Sequence, residues 1–141
     1  MIIADTGFWL ALLNRRDNWH SRAKEVMSQL EEPLITTLPV ITEAAYLLSQ
    51  RSGFDKSIGF IEDANQGQFD IFEIRREHFG RMAILMRQYA DLPMDLADAS
   101  LVILAEKLGH GRILSTDQRD FQAYRWKNRH PFVNLLSDSK L

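Results

Sequence analysis

Apolar positions along the chain alternate between short runs and longer stretches in which they recur every three or four residues. A short run is typical of a buried strand, and the three-to-four-residue spacing is typical of an amphipathic helix. The pattern predicts strands at 1–5, 34–37, 69–74, 112–115 and 131–136, and helices at 6–14, 18–31, 39–51, 54–65, 76–90 and 95–107. Because helix-length segments separate the strands, we expect an α/β fold with a mainly parallel sheet flanked by helices.

Proline and glycine support several of these boundaries. Pro33 ends the second helix, because proline disfavours helical geometry in the residue before it. Pro39 suits the first turn of the third helix, where its missing N–H would be unpaired in any case. Gly53 and Gly109 are the expected stops of the helices that precede them.

Composition narrows the class of protein. The chain has 141 residues, of which 45% are hydrophobic, and shows no linker or internal repeat, so we expect one domain over 1–141. It contains no cysteine, which excludes disulfides, thiolate zinc sites and cysteine nucleophiles. No apolar run approaches the roughly 20 residues of a membrane span, and no basic leader begins the chain. We therefore expect a soluble, cytoplasmic protein with no membrane partner.

Acidic residues stand at the ends of the predicted elements. Asp5 and Asp117 each follow a short apolar strand, and Asp98 lies three residues after Asp95 at the start of a helix. Taken singly, each is best interpreted as a helix cap or first-turn acid. The carboxyl ends of parallel strands share one edge, however, so the acids are also predicted to converge there.

Carboxylates that converge repel one another and raise their pKa values unless a cation neutralises them. A hard divalent ion such as Mg²⁺ or Mn²⁺ does this with oxygen ligands. Glu43 is a further candidate in the third predicted helix, at the border between an apolar stripe and a polar face. From the pattern alone, an ordinary solvated glutamate fits that position equally well.

The ordered set of these segments resembles the PIN-domain nucleases, most closely the small VapC-type toxins of prokaryotic toxin–antitoxin systems. The resemblance covers essentially the whole chain. It is carried by Asp5-Thr6, Asp17-Asn-Trp-His20 with Ala23, Thr42-Glu-Ala-Ala-Tyr-Leu-Leu, Asp98-Ala-Ser-Leu with Leu104-Ala-Glu, and Ser115-Thr-Asp-Gln-Arg-Asp-Phe121.

The resemblance implies a three-layer PIN-like domain that acts as an Mg²⁺- or Mn²⁺-dependent endoribonuclease, the toxin of a toxin–antitoxin pair. It places the catalytic acids at Asp5, Glu43, Asp98 and Asp117, with metal held by Asp5, Asp98 and Asp117. Supporting positions are the hydroxyls of Thr6 and Ser115, with Asp95 and Asp120 as second-choice acids. It also implies a homodimer and a cognate antitoxin that binds in an apolar groove. The RNA target, whether transfer, ribosomal or messenger RNA, stays open.

A basic, aromatic stretch in the last third of the chain is a candidate route for RNA. Its cations are Arg112, Arg119, Arg125 and Lys127, interleaved with Tyr124, Trp126 and Phe132. This mixture suits phosphate contact and base stacking. Alternatively, the aromatic side chains anchor a solvated basic loop to the core.

Three other functions fit the sequence less well. A phosphoacceptor signalling domain needs a second acid beside the first-strand acid, where this chain has Thr6. A haloacid-dehalogenase-like phosphatase needs an Asp-x-Asp pattern, which Gly7 breaks. A catalytically silent PIN-like module that binds RNA or protein is opposed by the presence of all four acids, although a single sequence leaves that alternative open.

Overall fold

The computed structural model describes residues 1–137. The predicted single domain extends to residues 138–141, which lie outside the described residues. The strands are β1 (Ile2–Ala4), β2 (Leu34–Thr37), β3 (Asp70–Phe72), β4 (Arg112–Leu114), β5 (Arg125–Trp126), β6 (His130–Pro131) and β7 (Val133–Asn134). The helices are α1 (Thr6–Leu13), α2 (His20–Gln29), α3 (Leu38–Ser52), α4 (Phe54–Asn65), α5 (Phe79–Gln88), α6 (Leu96–Leu108) and α7 (Asp120–Ala123), with a 3-10 turn at Arg76–His78 before α5.

Five parallel strands form the central sheet in the order β3-β2-β1-β4-β7. The chain leaves β1 toward β2 and β3 on one side, then returns to place β4 and β7 on the other. The boundary between β1 and β4 is therefore the switch point of the sheet, where open α/β folds form a crevice outside the strand ends. Helices flank the sheet, and the predicted α/β fold is confirmed.

Helix α6 is the buried centre of the molecule. Its residues Ala99–Ala105 are all buried, and it packs against β1, β2, α3 and α5. A helix that is apolar on nearly every side is stable only when enclosed in this way. This packing places the first turn of α6, which carries Asp98, close to the carboxyl ends of the central strands.

The C-terminal region differs from its prediction. Residues 131–136 were predicted as one strand, but the structure divides them between β6, which pairs antiparallel with β5, and β7, which joins the main sheet. Lys127 and Asn128 adopt positive φ angles of 49° and 63° in the turn between β5 and β6. Strands of two residues and a helix of four are too short to show a period in the sequence. The β5–β6 ribbon and α7 were therefore not predicted.

Two predicted elements are shorter than expected. The strand at 69–74 is reduced to Asp70–Phe72, and the helix at 76–90 begins as the 3-10 turn and becomes α-helical only from Phe79 to Gln88. The His78 ring stabilises this entry, since its Nδ1 accepts the Arg75 backbone N–H at 2.9 Å. Among residues 1–137, none of the helices has the length and apolar character needed to cross a membrane.

Candidate acidic active site

Asp5 occupies the switch point at the end of β1. Its backbone N–H donates to the Leu114 carbonyl at 3.1 Å, which holds it beside the end of β4. Its carboxylate Oδ1 accepts the Thr6 N–H at 2.6 Å, and Oδ2 accepts the Ser115 hydroxyl at 2.8 Å. Asp5 is buried. It therefore caps α1, as predicted, and also faces the neighbouring strand end.

Ser115 connects Asp5 to Asp117. The Ser115 hydroxyl, which donates to Asp5, also accepts the Asp117 N–H at 2.9 Å. The Asp117 Oδ1 in turn accepts the N–H groups of Arg119 and Asp120, at 3.2 and 2.8 Å, just before α7. Asp117 thus fixes the turn into a helix through one of its two carboxylate oxygens.

Asn134 holds Ser115 in place from the neighbouring strand. Its Oδ1 accepts the Ser115 N–H at 3.1 Å and its Nδ2 donates to the Ser115 carbonyl at 2.8 Å. The side chain thereby continues the β4–β7 ladder by one residue. Sequence reasoning missed this role, because a single asparagine near the end of the chain carries no spacing signal.

Asp98 lies in the first turn of α6. Asp95 is the N-cap of that helix and accepts the Asp98 N–H at 2.9 Å, as the capping interpretation predicted. The Asp98 Oδ2 accepts the hydroxyl of Tyr124 at 3.1 Å. Sequence reasoning missed Tyr124 as a partner of the site.

The prediction that Tyr124 and Phe132 stack on RNA bases is wrong. Both side chains are buried, and the Tyr124 ring packs edge-on against Tyr89 and Phe121. A ring enclosed by other rings has no face left for a base. These aromatic residues anchor the segment to the core, which was the alternative interpretation.

Burial and mutual repulsion raise the pKa values of the acids. Burial raises the pKa of Asp5 to about 6; hydrogen bonds from Ser115 and Thr6 oppose the rise, and the charges of Asp117 and Glu43 add to it. Burial, followed by the charges of Asp5 and Asp95, raises the pKa of Asp98 to about 8. The charges of neighbouring acids therefore raise the pKa values of both Asp5 and Asp98, as expected when carboxylates converge.

Asp117 and Glu43 are the other two predicted acids of the site. The pKa of Asp117 is also raised, first by burial and then by Asp120. Glu43, on the second turn of α3, contributes to the Asp5 shift and lines an open groove together with Asp95. The structure thus brings together Asp5, Glu43, Asp98 and Asp117, with Thr6, Ser115, Asp95 and Asp120 around them.

The acidic edge fits a hydrated divalent ion better than a fully caged one. Among residues 1–137, no group of three or more Asp, Glu or His side chains is arranged so that it could hold a metal ion by itself. Mg²⁺ commonly uses only one or two carboxylates and keeps several waters or substrate oxygens. The buried Thr6 Oγ1 beside Asp5 has no hydrogen-bond partner. An unsatisfied hydroxyl and carboxyls with raised pKa values form a donor set that a cation with its waters would satisfy.

Gly7 allows the segments of the site to approach one another closely. A Cβ at this position would collide with Thr116 Oγ1. The first turn of α1 therefore lies directly against the loop that carries Ser115 and Asp117. This close approach is a reason for glycine that the sequence pattern does not reveal.

Two of the candidate RNA-binding cations have structural partners. Arg112, at the amino end of β4, makes a bidentate ion pair with Glu32 at the edge of the sheet opposite the acids. The Arg125 Nη1 donates to the carbonyls of Gln122, Ala123 and Tyr124, which close the end of α7. RNA contact by Arg112 and Arg125 stays a prediction that these contacts do not support.

Lys127 and Arg119 are exposed. The Lys127 backbone N–H donates to Glu106, about two helical turns, or roughly 12 Å, along α6 from Asp98. Arg119 lies in the Asp117 loop, where its Nε donates to Asp120 at 3.2 Å. Of the four predicted cations, Arg119 is the one that adjoins the acids.

A parallel α/β sheet with acids after its two central strands defines the class of this protein. The chain belongs to the PIN-domain family: the model of that family, described as PIN domain, matches residues 2–127.

The relatives it resembles agree with this assignment. The chain is 26% identical over 124 residues to Ribonuclease VapC26 of Mycobacterium tuberculosis (strain ATCC 25618 / H37Rv), an alignment that covers 88% of this chain and 92% of the relative. Its fold is similar to the crystal structure of Mycobacterium tuberculosis VapC20, described as a sarcin-ricin loop cleaving toxin. That match has a TM-score of 0.79 at 19% identity and covers 84% of this chain and 92% of the other.

Proposed function

We propose that this chain is a divalent-metal-dependent endoribonuclease, the toxin component of a toxin–antitoxin pair. The observation that carries the proposal is the convergence of Asp5, Asp98 and Asp117, with Glu43, at the switch point of a PIN-domain sheet. Similarity to Ribonuclease VapC26 supports RNA as the substrate. Perturbed pKa values cluster at functional sites, and the raised pKa values of these acids agree with the proposal.

The residues of the site divide into three roles. Asp5, Asp98 and Asp117, whose pKa values are all raised, would hold a hydrated cation: one or two of them as direct ligands and the others through its bound waters. Glu43, which is less enclosed, would orient the attacking water. The Ser115 hydroxyl would fix Asp5, and the Thr6 hydroxyl, which has no hydrogen-bond partner, would bind water at the site.

When bound, Mg²⁺ or Mn²⁺ supplies positive charge that activates water and stabilises the charge developing on the scissile phosphate. The chain itself contributes the position of each carboxylate and a partly buried setting in which charges interact more strongly than in water. No protein nucleophile is required, which agrees with the absence of cysteine.

RNA would approach along the Asp117 loop, where Arg119 is exposed beside the acids. The net charge of −2 makes such a local cation important for a polyanionic substrate. An RNA substrate would also place the activity in the cytoplasm.

An antitoxin segment would occupy the open groove beside Glu43 and Asp95, which has a volume of about 750 Å³. Its walls are largely apolar and include Leu38, Ile71, Phe72, Ile74, Phe79 and Leu96. A groove of this kind suits an amphipathic peptide. The position beside two site acids would let a bound segment block the active site.

A second copy of the chain would pack on α4. Phe54, Ile58 and Ile61 are exposed and recur on that helix at a spacing of three to four residues. An exposed apolar stripe of this kind is typical of an association surface, and it supports the homodimer that we propose.

The proposal is tested by cleavage of transfer, ribosomal and messenger RNA with Mn²⁺ and with a chelator. The wild type should cut at least one of these RNAs only when metal is present. Asp5→Asn, Asp98→Asn and Asp117→Asn should each lower the rate by more than about 100-fold, because outer-sphere partners of a metal already cost 10- to 100-fold. Asp95→Asn and Asp120→Asn are the matched controls and should be milder, since Asn at position 95 also caps a helix.

Thermal melts of the same five variants separate loss of function from loss of fold. Wild-type rates in all five variants would refute the proposed mechanism. A wild type that cuts none of the RNAs in the presence of Mn²⁺ would favour the catalytically silent PIN-like module instead.

A further inference from the structure

Tyr124 touches the acidic cluster through a single, well-defined contact. Its hydroxyl donates to Asp98 Oδ2 at 3.1 Å, and no other side chain within residues 1–137 donates to that carboxylate. The second oxygen, Oδ1, receives no donor from the described part of the chain. The contact therefore orients the carboxylate through one oxygen and leaves the other oxygen available to a ligand.

The Tyr124 ring has little freedom to move. It is fully buried, and its centroid lies 5.0 Å from both the Tyr89 and the Phe121 rings in edge-to-face geometry. Its backbone N–H also donates to the Asp120 carbonyl at 2.9 Å, which closes α7. A hydroxyl on a ring held in this way is a preorganised donor.

The same short segment begins at Asp117 and ends at Tyr124. Asp117 fixes its start through the N–H groups of Arg119 and Asp120, and Tyr124 fixes its end against α6. The Tyr124–Asp98 hydrogen bond therefore links two acids that come from different elements. If that bond is lost, the carboxylate of Asp98 is free to rotate relative to Asp117.

We propose that Tyr124 is a positioning residue that holds the Asp98 carboxylate for a divalent cation. The inference rests on the proposed function and adds a residue to its machinery. A hydrogen bond to an ionised carboxylate is roughly twice as strong as one between neutral groups. The Tyr124 hydroxyl is therefore a strong donor to the Asp98 carboxylate. Partners of metal ligands that act in this way usually matter 10- to 100-fold for affinity or activity.

Tyr89 provides a matched control for a hydroxyl deletion. Its ring lies in the same aromatic cluster, but its hydroxyl accepts the Arg125 backbone N–H at 3.0 Å and does not contact Asp98. Tyr124→Phe and Tyr89→Phe therefore remove the same atom from the same cluster. Only the first change removes a contact with an acid of the site.

The experiment measures Mn²⁺ dissociation constants by calorimetry, together with kcat and KM on whichever of transfer, ribosomal or messenger RNA the wild type cuts. Tyr124→Phe should weaken Mn²⁺ binding about 10-fold and lower kcat by a similar factor, with KM for RNA unchanged. Tyr89→Phe should leave all three quantities at wild-type values, even where it lowers the melting temperature.

Wild-type Mn²⁺ affinity in Tyr124→Phe, or an equal loss in Tyr89→Phe, would overturn the positioning role. Asp98→Asn, measured alongside, distinguishes this failure from that of the proposed function. If Asp98→Asn loses Mn²⁺ binding and Tyr124→Phe does not, the positioning role alone is refuted. If the wild type itself binds no Mn²⁺ and cuts no RNA, the proposed function fails and the positioning role fails with it.

Discussion

At the scale of single residues, the acids of this protein perform two tasks at once. Asp5 caps α1 and also accepts the Ser115 hydroxyl from the neighbouring strand end. Asp117 fixes the turn into α7 through one oxygen. Capping and convergence are therefore compatible, because one carboxylate oxygen is enough to accept backbone N–H groups.

The raised pKa values of the acids predict a pH dependence for the metal-free protein. Burial raises the pKa of Asp98 from its ordinary value of 3.8 to about 8 and that of Asp5 to about 6. The folded chain thus binds more protons than the unfolded chain between these values, so the free energy of unfolding should fall as pH rises from about 4 to about 8. Thermal melts in a chelator, at several pH values, measure this loss.

Asp98→Asn is the control for this prediction, because it removes the carboxyl whose pKa is raised to about 8. His110 contributes the opposite slope, since partial burial and Arg112 lower its pKa from 6.5; the difference between wild type and variant cancels this contribution. The wild type should lose stability relative to the variant as pH rises, and Mn²⁺ should restore it by binding the ionised form. Parallel pH profiles for the two proteins would contradict the prediction.

At the scale of elements, the short strand β7 supports the site through one side chain. Val133 and Asn134 pair with β4, and Asn134 then continues the ladder to Ser115. It also accepts the Leu136 N–H at 3.1 Å. A two-residue strand thereby fixes the position of the residue that bridges Asp5 and Asp117.

Asn134→Ala should destabilise the fold and disturb the site together. The change leaves the Ser115 N–H and carbonyl and the Leu136 N–H without their partner, which should cost about 2–3 kcal/mol. Urea unfolding measures this loss. Val133→Ala is the matched control: it lies in the same strand with a half-exposed side chain and should change stability by no more than about 0.5 kcal/mol. Equal effects of the two variants would show that the side-chain ladder adds nothing.

At the scale of the whole molecule, residues 1–137 expose two apolar surfaces that bear on association. One is the groove beside Glu43 and Asp95, and the other is the stripe on α4. Large exposed apolar surfaces reduce solubility unless a partner covers them. The fold therefore leaves apolar surface available for association.

Co-expression with the protein encoded beside this gene should increase solubility and suppress RNA cleavage. Phe79→Gln, which changes an exposed wall of the groove, should weaken capture of that neighbour in a pull-down assay. Ile84→Gln is the control, because Ile84 is equally exposed on the same helix but does not line the groove. Equal solubility and activity with and without the neighbour would count heavily against the toxin–antitoxin assignment.

The sequence alone determined the class of the fold, and it predicted that Asp5, Asp98 and Asp117 converge. The short apolar runs and helical spacings predicted the four sheet strands β1 to β4 and every helix but α7, because periodicity directly reflects which faces are buried. The placement of Asp5 and Asp117 after strands predicted a shared edge, because parallel strands end on the same side. These are local rules, and they hold wherever an element is long enough to show a period.

Only the tertiary structure decided how the acids are held. The roles of Asn134 and Tyr124 arise from hydrogen bonds to Ser115 and Asp98, residues 19 and 26 positions away in the chain. No spacing in the sequence encodes such contacts, since they exist only after the sheet order and the packing of α6 have brought the segments together. The same reason explains why the basic residues of the last third, alike in sequence, have different partners in the folded chain.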